Sequence, residues 1–241
     1  MYLSVIIPAY NEEKRLPKTL DDISAYLKRQ DYQSEIIVVN GGSTDKTPEI
    51  VRDKMRGIGN LQLLEAKNSG GKGGAVKAGM LKASGKFRLF TDADNSTSVE
   101  QIEKMWPEFE KGYGVVIGSR DVKGAVLDPP QPWLRNVFLG EGFKIYRKFV
   151  VGLWDLEDTQ CGFKCFGDEV VEKVFSKAII KGFAFDPEIL ILAKRAGYKI
   201  KEVPVYWKND PDSKVSPANV IKMAVDLMKI RWHLILGKYG S

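Results

Sequence analysis

The chain has 241 residues, which suits one large domain that buries a core without disulfide or metal staples. Its hydrophobic content of 44% and charged content of 28% are those of an ordinary globular protein and argue against disorder. The net charge of +6 indicates a surface that attracts phosphates, nucleic acid or anionic lipid, without choosing among them.

Short apolar runs alternate with helical patterns through the first half of the chain. We predict buried strands at residues 3–7, 35–39, 61–64, 87–91 and 115–117, and we expect Pro8 to end the first of them. This alternation predicts an α/β fold of the Rossmann-like type, with a mostly parallel central sheet and helices on both faces. Because ligands bind at the carboxyl ends of such strands, the loops there are expected to line one cleft.

The pattern changes after residue 120. We predict a proline-containing loop at 121–133, helices at 134–151 and near 170–175, a helix that Asp186 and Pro187 open, and a strand at 200–205. A last helix is predicted after Ser216, which would cap it. No internal repeat or low-complexity segment is visible, so we expect a single domain with a C-terminal helix.

The sequence also predicts where the protein works. It contains no apolar run of about 18 residues, and its first residues lack the basic leader and long apolar core of a signal peptide. Cys161 and Cys165, four residues apart, form neither a disulfide framework nor a Cys-x-x-Cys metal half-site, and we expect structural thiols in a reducing compartment. We therefore expect a cytoplasmic protein, at most peripheral to a membrane.

Two carboxylates follow the strand predicted at 87–91. Asp92 and Asp94 stand at positions i and i+2, which point the same way in an extended chain, so both side chains can meet one cation. Oxygen ligands without His or Cys favour Mg²⁺ or Mn²⁺ shared with substrate phosphates. The alternative is an ordinary acidic turn, since Asp is favoured in turns.

A glycine-rich loop at residues 70–74 contains Lys72 and opens a helix predicted from Ala75. Backbone N–H groups at a helix N-terminus attract phosphate, so the loop fits a bound diphosphate. It is not a Walker A loop, because Gly73 follows the lysine where Ser or Thr is required. A flexible linker is an equally good interpretation of the residues alone.

The sequence lacks the residues that other functions would require, such as acyl transfer or nucleic-acid binding. His233, the single histidine, lies far from every predicted strand end, and no Gly-x-Ser-x-Gly elbow occurs, which excludes acyl transfer by a Ser-His-Asp triad. No recognition-helix, RNP or zinc-finger pattern appears, so we predict no nucleic-acid partner. Arg120 directly follows a predicted strand end and is expected to point into the cleft.

The last helix is apolar around most of its circumference. Lys222, Asp226, Lys229 and His233 form one narrow polar stripe, whereas a surface helix normally has a narrow apolar one. Burial against the core or in a homodimer explains this pattern. A helix lying in the headgroup region of a membrane, anchored by Trp232, explains it equally well.

Seven stretches of the chain, in order, resemble family 2 glycosyltransferases of GT-A fold. They are residues 4–13, 42–45, 71–75, 92–94, 118–120, 158–164 and 202–207. The last two resemble the dolichyl-phosphate β-glucosyltransferases and, less closely, the dolichyl-phosphate mannose synthases. The resemblance implies an inverting, metal-dependent transfer of a hexose, glucose being favoured, from a nucleotide sugar to a polyprenyl (dolichyl) phosphate.

The resemblance also implies the site residues. Residues 1–119 would bind the donor, UDP-glucose being favoured, and residues 120–216 the acceptor, with 217–241 as the C-terminal amphipathic helix. The implied donor-binding residues are Pro8, Tyr10, Asn11, Glu12, Asn40, Gly41, Ser43, Lys72, Gly73, Asp92, Ala93 and Asp94. Asp92 and Asp94 would hold Mg²⁺ or Mn²⁺. The implied acceptor-phosphate residues are Arg120, Arg135, Gln160 and Lys214.

The implied catalytic residues are Asp158, Asp94 and Arg120, with Asp158 at the position of a base or an acceptor-orienting carboxylate. A phosphate monoester has its second pKa near 6, so the nucleophile is already largely ionised at neutral pH. Positioning and charge neutralisation should then dominate the barrier. We hypothesise that Asp158 orients the acceptor more than it deprotonates it.

One stretch departs from the family pattern. Asn40 and Gly41 stand where the family has two aspartates, so the carboxylate that reads the nucleotide base is absent and Asn40 offers a carbonyl oxygen instead. This departure keeps open a nucleotide-sugar-binding protein without turnover. A transferase with a soluble acceptor is a second alternative, which burial of the last helix would favour. The presence together of Asp92, Asp94, Arg120 and Asp158 favours an active enzyme.

Overall fold

A computed structural model describes residues 1–129, 142–209 and 217–240. The strands in these ranges are β1 (Leu3–Ala9), β2 (Ser34–Asn40), β3 (Leu61–Glu65), β4 (Phe87–Thr91), β5 (Val115–Ser119), β6 (Val126–Asp128), β7 (Phe163–Gly167), β8 (Ile200–Pro204) and β9 (Tyr206–Lys208). The α-helices are α1 (Leu16–Leu27), α2 (Thr47–Lys54), α3 (Lys72–Lys82), α4 (Trp106–Glu110), α5 (Gly142–Val151), α6 (Asp168–Phe175), α7 (Phe185–Arg195) and α8 (Pro217–Ile235). A 3₁₀ helix, Val99–Lys104, precedes α4.

The central sheet has seven strands in the order β3-β2-β1-β4-β7-β5-β8. β7 runs antiparallel to β4 and β5, and every other neighbouring pair is parallel. The predicted α/β fold with a mostly parallel sheet is therefore confirmed. The sequence did not predict β7, nor the two-stranded sheet of β6 and β9.

Strand β1 continues through Pro8, so the prediction that Pro8 ends it was wrong. Pro8 and Ala9 still pair with β2, opposite Val39 and Asn40. The ladder between β1 and β4 has already ended at Ile6, opposite Phe90. Proline lacks a backbone N–H, but the ladder between β1 and β4 has no hydrogen bond left to lose at Pro8, so the strand continues.

Helices cover both faces of the sheet. Successive residues of each strand point to opposite faces, so each strand contributes to both cores. Val5 and Ile7 face a core shared with α1, α2 and the 3₁₀ helix. Ile6 and Phe90 face a second core shared with α3, α6, α7 and α8. In α1 the apolar residues recur at helical spacing and the side that carries them is buried.

The last helix belongs to the second core through one side only. Leu227 and Ile230 are fully buried there, whereas Ile221 and Trp232 are exposed. Among the described residues, no helix is both long and apolar enough to cross a membrane.

Candidate active site

The loops after β1 and β2 are joined by side-chain hydrogen bonds at the carboxyl edge of the sheet. The Asn11 N–H donates to Ser43 Oγ (3.0 Å), and the Thr44 N–H donates to Asn11 Oδ1 (2.8 Å). Asn11 has φ 53°, in the left-handed region that Asn tolerates better than most residues. The Glu12 N–H donates to Thr47 Oγ1 (2.8 Å). These bonds make one frame from two loops, with Tyr10 exposed beside it.

Asn40 lies beneath this frame. It is 1% exposed; its Nδ2 donates to Glu65 Oε2 (2.7 Å) and its Oδ1 accepts the Ser43 N–H (2.9 Å). The Asn40 carbonyl oxygen, expected to accept from a nucleotide base, instead accepts the Ser43 N–H and stabilises the loop after β2. Gly41, in contrast, has room: a β-carbon there would meet Ala9 O at 3.6 Å, an ordinary contact.

Lys72 lies in the first turn of α3, so the helix begins three residues before the predicted Ala75. Its Nζ contacts Asp92 Oδ1 at 2.6 Å, with both side chains less than a quarter exposed. Burial acts to lower the pKa of Lys72, but the Asp92 and Asp186 carboxylates outweigh it and raise that pKa. Lys72, the cation predicted in the glycine-rich loop, thus forms an ion pair with Asp92.

Gly73 and Ala93 are packing positions. A β-carbon at Gly73 would overlap Phe185 and the Ile180 carbonyl, so this glycine lets α3 approach the segment before α7. Ala93 is buried, and its carbonyl accepts the Thr19 hydroxyl (2.8 Å).

Asp94 and Asp92 lie in a turn, because β4 ends at Thr91. Asp94 Oδ1 accepts the Ser96 N–H (3.0 Å), and burial together with the Asp92 charge raises the pKa of Asp94. Two neighbouring carboxylates with excess negative charge fit a hard divalent cation that also takes ligands from a substrate diphosphate. Within the described ranges, no cluster of three or more His, Cys, Asp or Glu side chains could hold a metal, so a cation here depends on shared ligands.

Asp158, which is buried, and Arg120, which is partly exposed, form a bidentate ion pair. Asp158 Oδ2 accepts from Arg120 Nε (2.6 Å), and Oδ1 accepts from Arg120 Nη2 (2.9 Å). The backbone N–H groups of Arg120, Gln160 and Cys161 also donate to this carboxylate. Burial alone would raise the pKa of Asp158, but the charge and hydrogen bonds of Arg120 hold it well below its usual range. The Asp158 carboxylate is therefore held ionised, with both of its oxygens already accepting hydrogen bonds.

Glu202 and Trp207 extend this pair, although the sequence alone indicated no role for either residue. Glu202 Oε1 accepts the Asp158 N–H (2.9 Å), which fixes the loop to β8. The Arg120 guanidinium lies 4.8 Å from the Trp207 ring centroid, a cation–π contact. The only sequence signal for these residues was their place in the 202–207 stretch.

Lys164 and Asp186 form a second buried ion pair that the sequence did not reveal. Lys164 Nζ lies 2.5 Å from Asp186 Oδ1 and has no exposed side-chain surface. Burial raises the pKa of Asp186 although Lys164 and Lys72 oppose the shift. The buried Asp186 carboxylate thus contributes to the raised pKa of Lys72.

The segment 158–162 connects the two ends of the site. At its start Asp158 holds Arg120; at its end Gly162 lies directly against the Asp92 carboxylate, which a β-carbon at 162 would overlap. Between them, Gln160 Nε2 contacts Met223 Sδ of α8 (3.9 Å). The structure therefore brings together Lys72, Asp92 and Asp94 with Arg120, Asp158 and Gln160. Arg135 and Lys214 lie outside the described residues.

Comparison with known proteins identifies relatives over nearly the whole chain. The family model for glycosyl transferase family 2 matches residues 4–175. Dolichyl-phosphate β-glucosyltransferase ALG5A of Trichomonas vaginalis is 39% identical over 241 residues, which is 95% of this chain and 73% of the relative. The dolichyl-phosphate β-glucosyltransferase of Dictyostelium discoideum is 38% identical over 98% of this chain and 76% of its own.

A solved structure shares the fold at low sequence identity. Glucosyl-3-phosphoglycerate synthase from Mycobacterium tuberculosis, in complex with Mn²⁺, UDP and phosphoglyceric acid, superposes with a TM-score of 0.64. It is 18% identical, and the match covers 99% of this chain and 78% of that one.

Proposed function

The chain belongs to glycosyl transferase family 2, and we propose that it transfers glucose from a nucleotide sugar, UDP-glucose being the favoured donor, to dolichyl phosphate with inversion. The relatives that carry the name dolichyl-phosphate β-glucosyltransferase match it over 95% or more of its length. The observation that carries the proposal is the single segment 158–162, which joins the Asp92 side of the site to the Arg120–Asp158 pair.

The donor end has the charges that a nucleotide diphosphate needs. Asp92 and Asp94 would hold Mg²⁺ or Mn²⁺, which neutralises charge on the leaving diphosphate when bound. Lys72 forms an ion pair with Asp92 in this structure. Once a metal binds the Asp92 carboxylate, the Lys72 ammonium would instead bind the diphosphate. Tyr10, Asn11, Glu12 and the neighbouring loop would flank the nucleotide, and the fold is one in which a related synthase is solved with Mn²⁺ and UDP.

The acceptor end has cationic and amide donors. Arg120 uses Nε and Nη2 on Asp158, so its remaining N–H groups are the ones proposed to receive the acceptor phosphate. Gln160, Arg135 and Lys214 are proposed to complete that phosphate site. Asp158 would fix the direction of the guanidinium, and orientation of a reactant lowers the barrier without any proton transfer.

Asp158 is a poor general base. Its carboxylate accepts from Arg120 and from the Gln160 and Cys161 N–H groups, and its pKa is held low. The acceptor phosphate needs little help, since its second pKa lies near 6. The phosphate oxygen would attack the anomeric carbon directly while the nucleoside diphosphate leaves from the opposite face.

A soluble acceptor is the second candidate, and burial of the whole last helix would favour it. One side of α8 is instead exposed and apolar, including Ile221 and Trp232. We therefore propose a lipid acceptor reached from the membrane surface, with the protein peripheral to the cytoplasmic face.

Calorimetric titration with UDP-glucose, GDP-mannose and other nucleotide sugars, with and without Mn²⁺, tests the donor. The proposal expects metal-dependent binding of UDP-glucose, reduced at least about tenfold in Asp94→Asn, a loss of about 1.4 kcal/mol. Absence of binding by every donor would reject an active transferase and leave a protein whose Asn40-Gly41 loop has lost the donor.

A further inference from the structure

Glu188 is a buried carboxylate that no step of the proposed transfer uses. It lies in the first turn of α7 and is 0% exposed. Its Oε1 accepts the Ile179 N–H (3.0 Å) and its Oε2 accepts the Ile180 N–H (2.9 Å). Burial raises the pKa of Glu188, although these hydrogen bonds oppose the shift. Because burying a carboxylate is costly, its two bonds to one short stretch of backbone call for a purpose.

Two further side chains hold the same stretch, residues 176–182, here called the support segment. The Tyr239 hydroxyl donates to Glu188 Oε1 (2.7 Å), and Tyr239 is itself buried. From α3, Lys77 Nζ donates to the carbonyl oxygens of Ser176 (3.2 Å) and Ala178 (2.7 Å). The support segment is thus fixed from α3, from α7 and from the residues that follow α8.

The support segment lies directly against the glycine-rich loop. The Gly74 N–H donates to the Lys181 carbonyl (3.2 Å). A β-carbon at Gly71 would lie 2.7 Å from the same carbonyl oxygen, and one at Gly73 would lie 2.8 Å from the Ile180 carbonyl oxygen. Both distances are too short for any side chain, so the two stretches touch backbone to backbone. A displacement of the support segment must therefore displace the loop.

Lys72 stands in this loop, between two of its glycines. Its Nζ contacts Asp92 Oδ1 at 2.6 Å, and the N–H groups of the first turn of α3 surround its position in the chain. Glycine restricts the backbone less than any other residue, so the sequence of the loop does little to fix its own conformation. The position of Lys72 is then set by the surface on which the loop packs.

We propose that Glu188 and Tyr239 are positioning residues for the donor diphosphate. Glu188 acts through the backbone of the support segment, and Tyr239 acts through Glu188. Together they hold the glycine-rich loop where Lys72 and the N–H groups of α3 meet the phosphates. This inference rests on the proposed function, which places the diphosphate at that loop. The alternative is that the same bonds only stabilise the fold, and it predicts normal donor binding in every folded variant.

Glu188→Gln tests the role of the carboxylate. Glutamine keeps the size of the side chain but replaces one accepting oxygen with an NH₂ group, so one backbone N–H of the support segment loses its acceptor. With Mn²⁺ present, calorimetry should show UDP binding weakened about tenfold. Uridine, which has no diphosphate, should bind the variant as it binds the wild type. Equal weakening of UDP and uridine would contradict a role at the diphosphate.

Glu35→Gln is the matched control. Glu35 is also buried, and it accepts the Ser84 N–H (2.8 Å). It stands near the start of β2, at the edge of the sheet opposite the site. This variant should be less stable than the wild type and should keep its Kd for UDP. An equal loss of UDP binding in both glutamine variants would show a general loosening of the fold and would overturn the proposal.

Tyr239→Phe is the milder variant, and it decides the question if Glu188→Gln does not fold. It removes only the hydroxyl, and Glu188 keeps both backbone bonds, so UDP binding should weaken by less than in Glu188→Gln. Tyr26→Phe is its control, because the Tyr26 hydroxyl also donates to a carboxylate, that of Glu103. Unchanged UDP binding in Tyr239→Phe would remove Tyr239 from the proposal.

Hydrogen exchange of the ligand-free protein, measured by mass spectrometry, separates this inference from the proposed function. Glu188→Gln should speed amide exchange in residues 70–76, and Glu35→Gln should not. Unchanged exchange there, or faster exchange with an unchanged Kd for UDP, would overturn the proposal. A wild type that binds neither UDP nor UDP-glucose would reject the proposed function, and faster exchange in Glu188→Gln would still show that Glu188 holds the loop.

Discussion

The carboxylate of Asp92 lies directly against Gly162, so closely that any side chain at residue 162 would overlap Asp92 Oδ2. The Asp92 N–H also donates to the Gly162 carbonyl (3.2 Å). Because Asp158 and Gly162 belong to one short segment, the position of the Asp92 carboxylate and that of Arg120 depend on the same backbone. The proposed donor and acceptor ends of the site therefore depend on the same short segment of backbone.

Gly162→Ala is expected to displace Asp92 and to lower kcat/KM at least about tenfold, equivalent to about 1.4 kcal/mol of transition-state stabilisation. Steady-state kinetics at several Mn²⁺ concentrations measures this loss. Gly59→Ala is the matched control, because a β-carbon there meets nothing within 4 Å. Equal activity of the two alanine variants would show that Asp92 does not need its present position.

Lys72→Met is expected to have opposite effects on metal and on donor. Lys72 occupies Asp92 Oδ1 at 2.6 Å, so its removal should tighten Mn²⁺ binding several-fold when no nucleotide is present. It should also weaken binding of the nucleotide sugar, since a cation beside the diphosphate is lost. Titration of Mn²⁺ and of UDP-glucose measures both, with Lys82→Met as the control at the other end of α3. Weaker Mn²⁺ binding in Lys72→Met would contradict this account.

Asp158→Asn is expected to lower the free energy of unfolding by about 2 kcal/mol at pH 7, because the partly buried Arg120 guanidinium loses the carboxylate to which it donates. The folded-state pKa of Asp158 is lowered, so its stabilisation is present above the unfolded pKa of about 4 and declines as pH falls below it. The difference in free energy of unfolding between wild type and variant, measured by urea unfolding, should therefore decrease below about pH 4. Asp155→Asn, an exposed pair partner of Lys194, should cost less than about 1 kcal/mol at any pH.

The pH dependence of turnover tests whether Asp158 is a base. Asp158 stays ionised across the working range, so Asp158→Asn should lower kcat by a similar factor at every pH above about 5. The acid limb should remain near pH 6 in both proteins, where the acceptor phosphate titrates. A loss that grows towards low pH would instead support proton removal by Asp158.

Gly41→Asp is expected to fold normally and to bind uridine nucleotides about tenfold more tightly. The position has room, because a β-carbon added there would lie 3.6 Å from Ala9 O and 3.9 Å from Ser69 Oγ. A carboxylate there would accept from a base N–H if the base binds beside residue 41 as proposed, and such a charged hydrogen bond is worth about 1.5 kcal/mol or more. Calorimetry with UDP measures the gain, with Gly59→Asp as the control. Unchanged affinity would mean that the base lies elsewhere.

Most of the fold followed from local patterns. β1, β2 and β4 are short, mostly apolar stretches buried on both faces, and such stretches are visible in a sequence. β7 was missed because its five residues include Lys164, a residue that seldom lies in a core. Its burial depends on Asp186, which stands 22 residues later and becomes a partner only in the folded chain.

Only those residues of the candidate site that belong to a sequence motif could be predicted. The resemblance picked out Asp92, Asp94, Arg120 and Asp158, and the structure brings these residues to one edge of the sheet, while their individual roles stay predictions. The pairing of Lys72 with Asp92 and the hold of Glu202 on the 158–162 segment depend on tertiary contacts. No spacing in the sequence reveals them.

Transfer of labelled glucose from UDP-glucose to dolichyl phosphate in detergent micelles tests the central claim most directly. The account predicts label in the organic phase that requires Mg²⁺ or Mn²⁺ and that Asp94→Asn and Arg120→Met each abolish. The labelled product should be the β-linked glucosyl phosphate, as an inverting transfer from an α-linked donor requires. Binding of UDP-glucose without any lipid-linked label, in the presence of metal and acceptor, would contradict it.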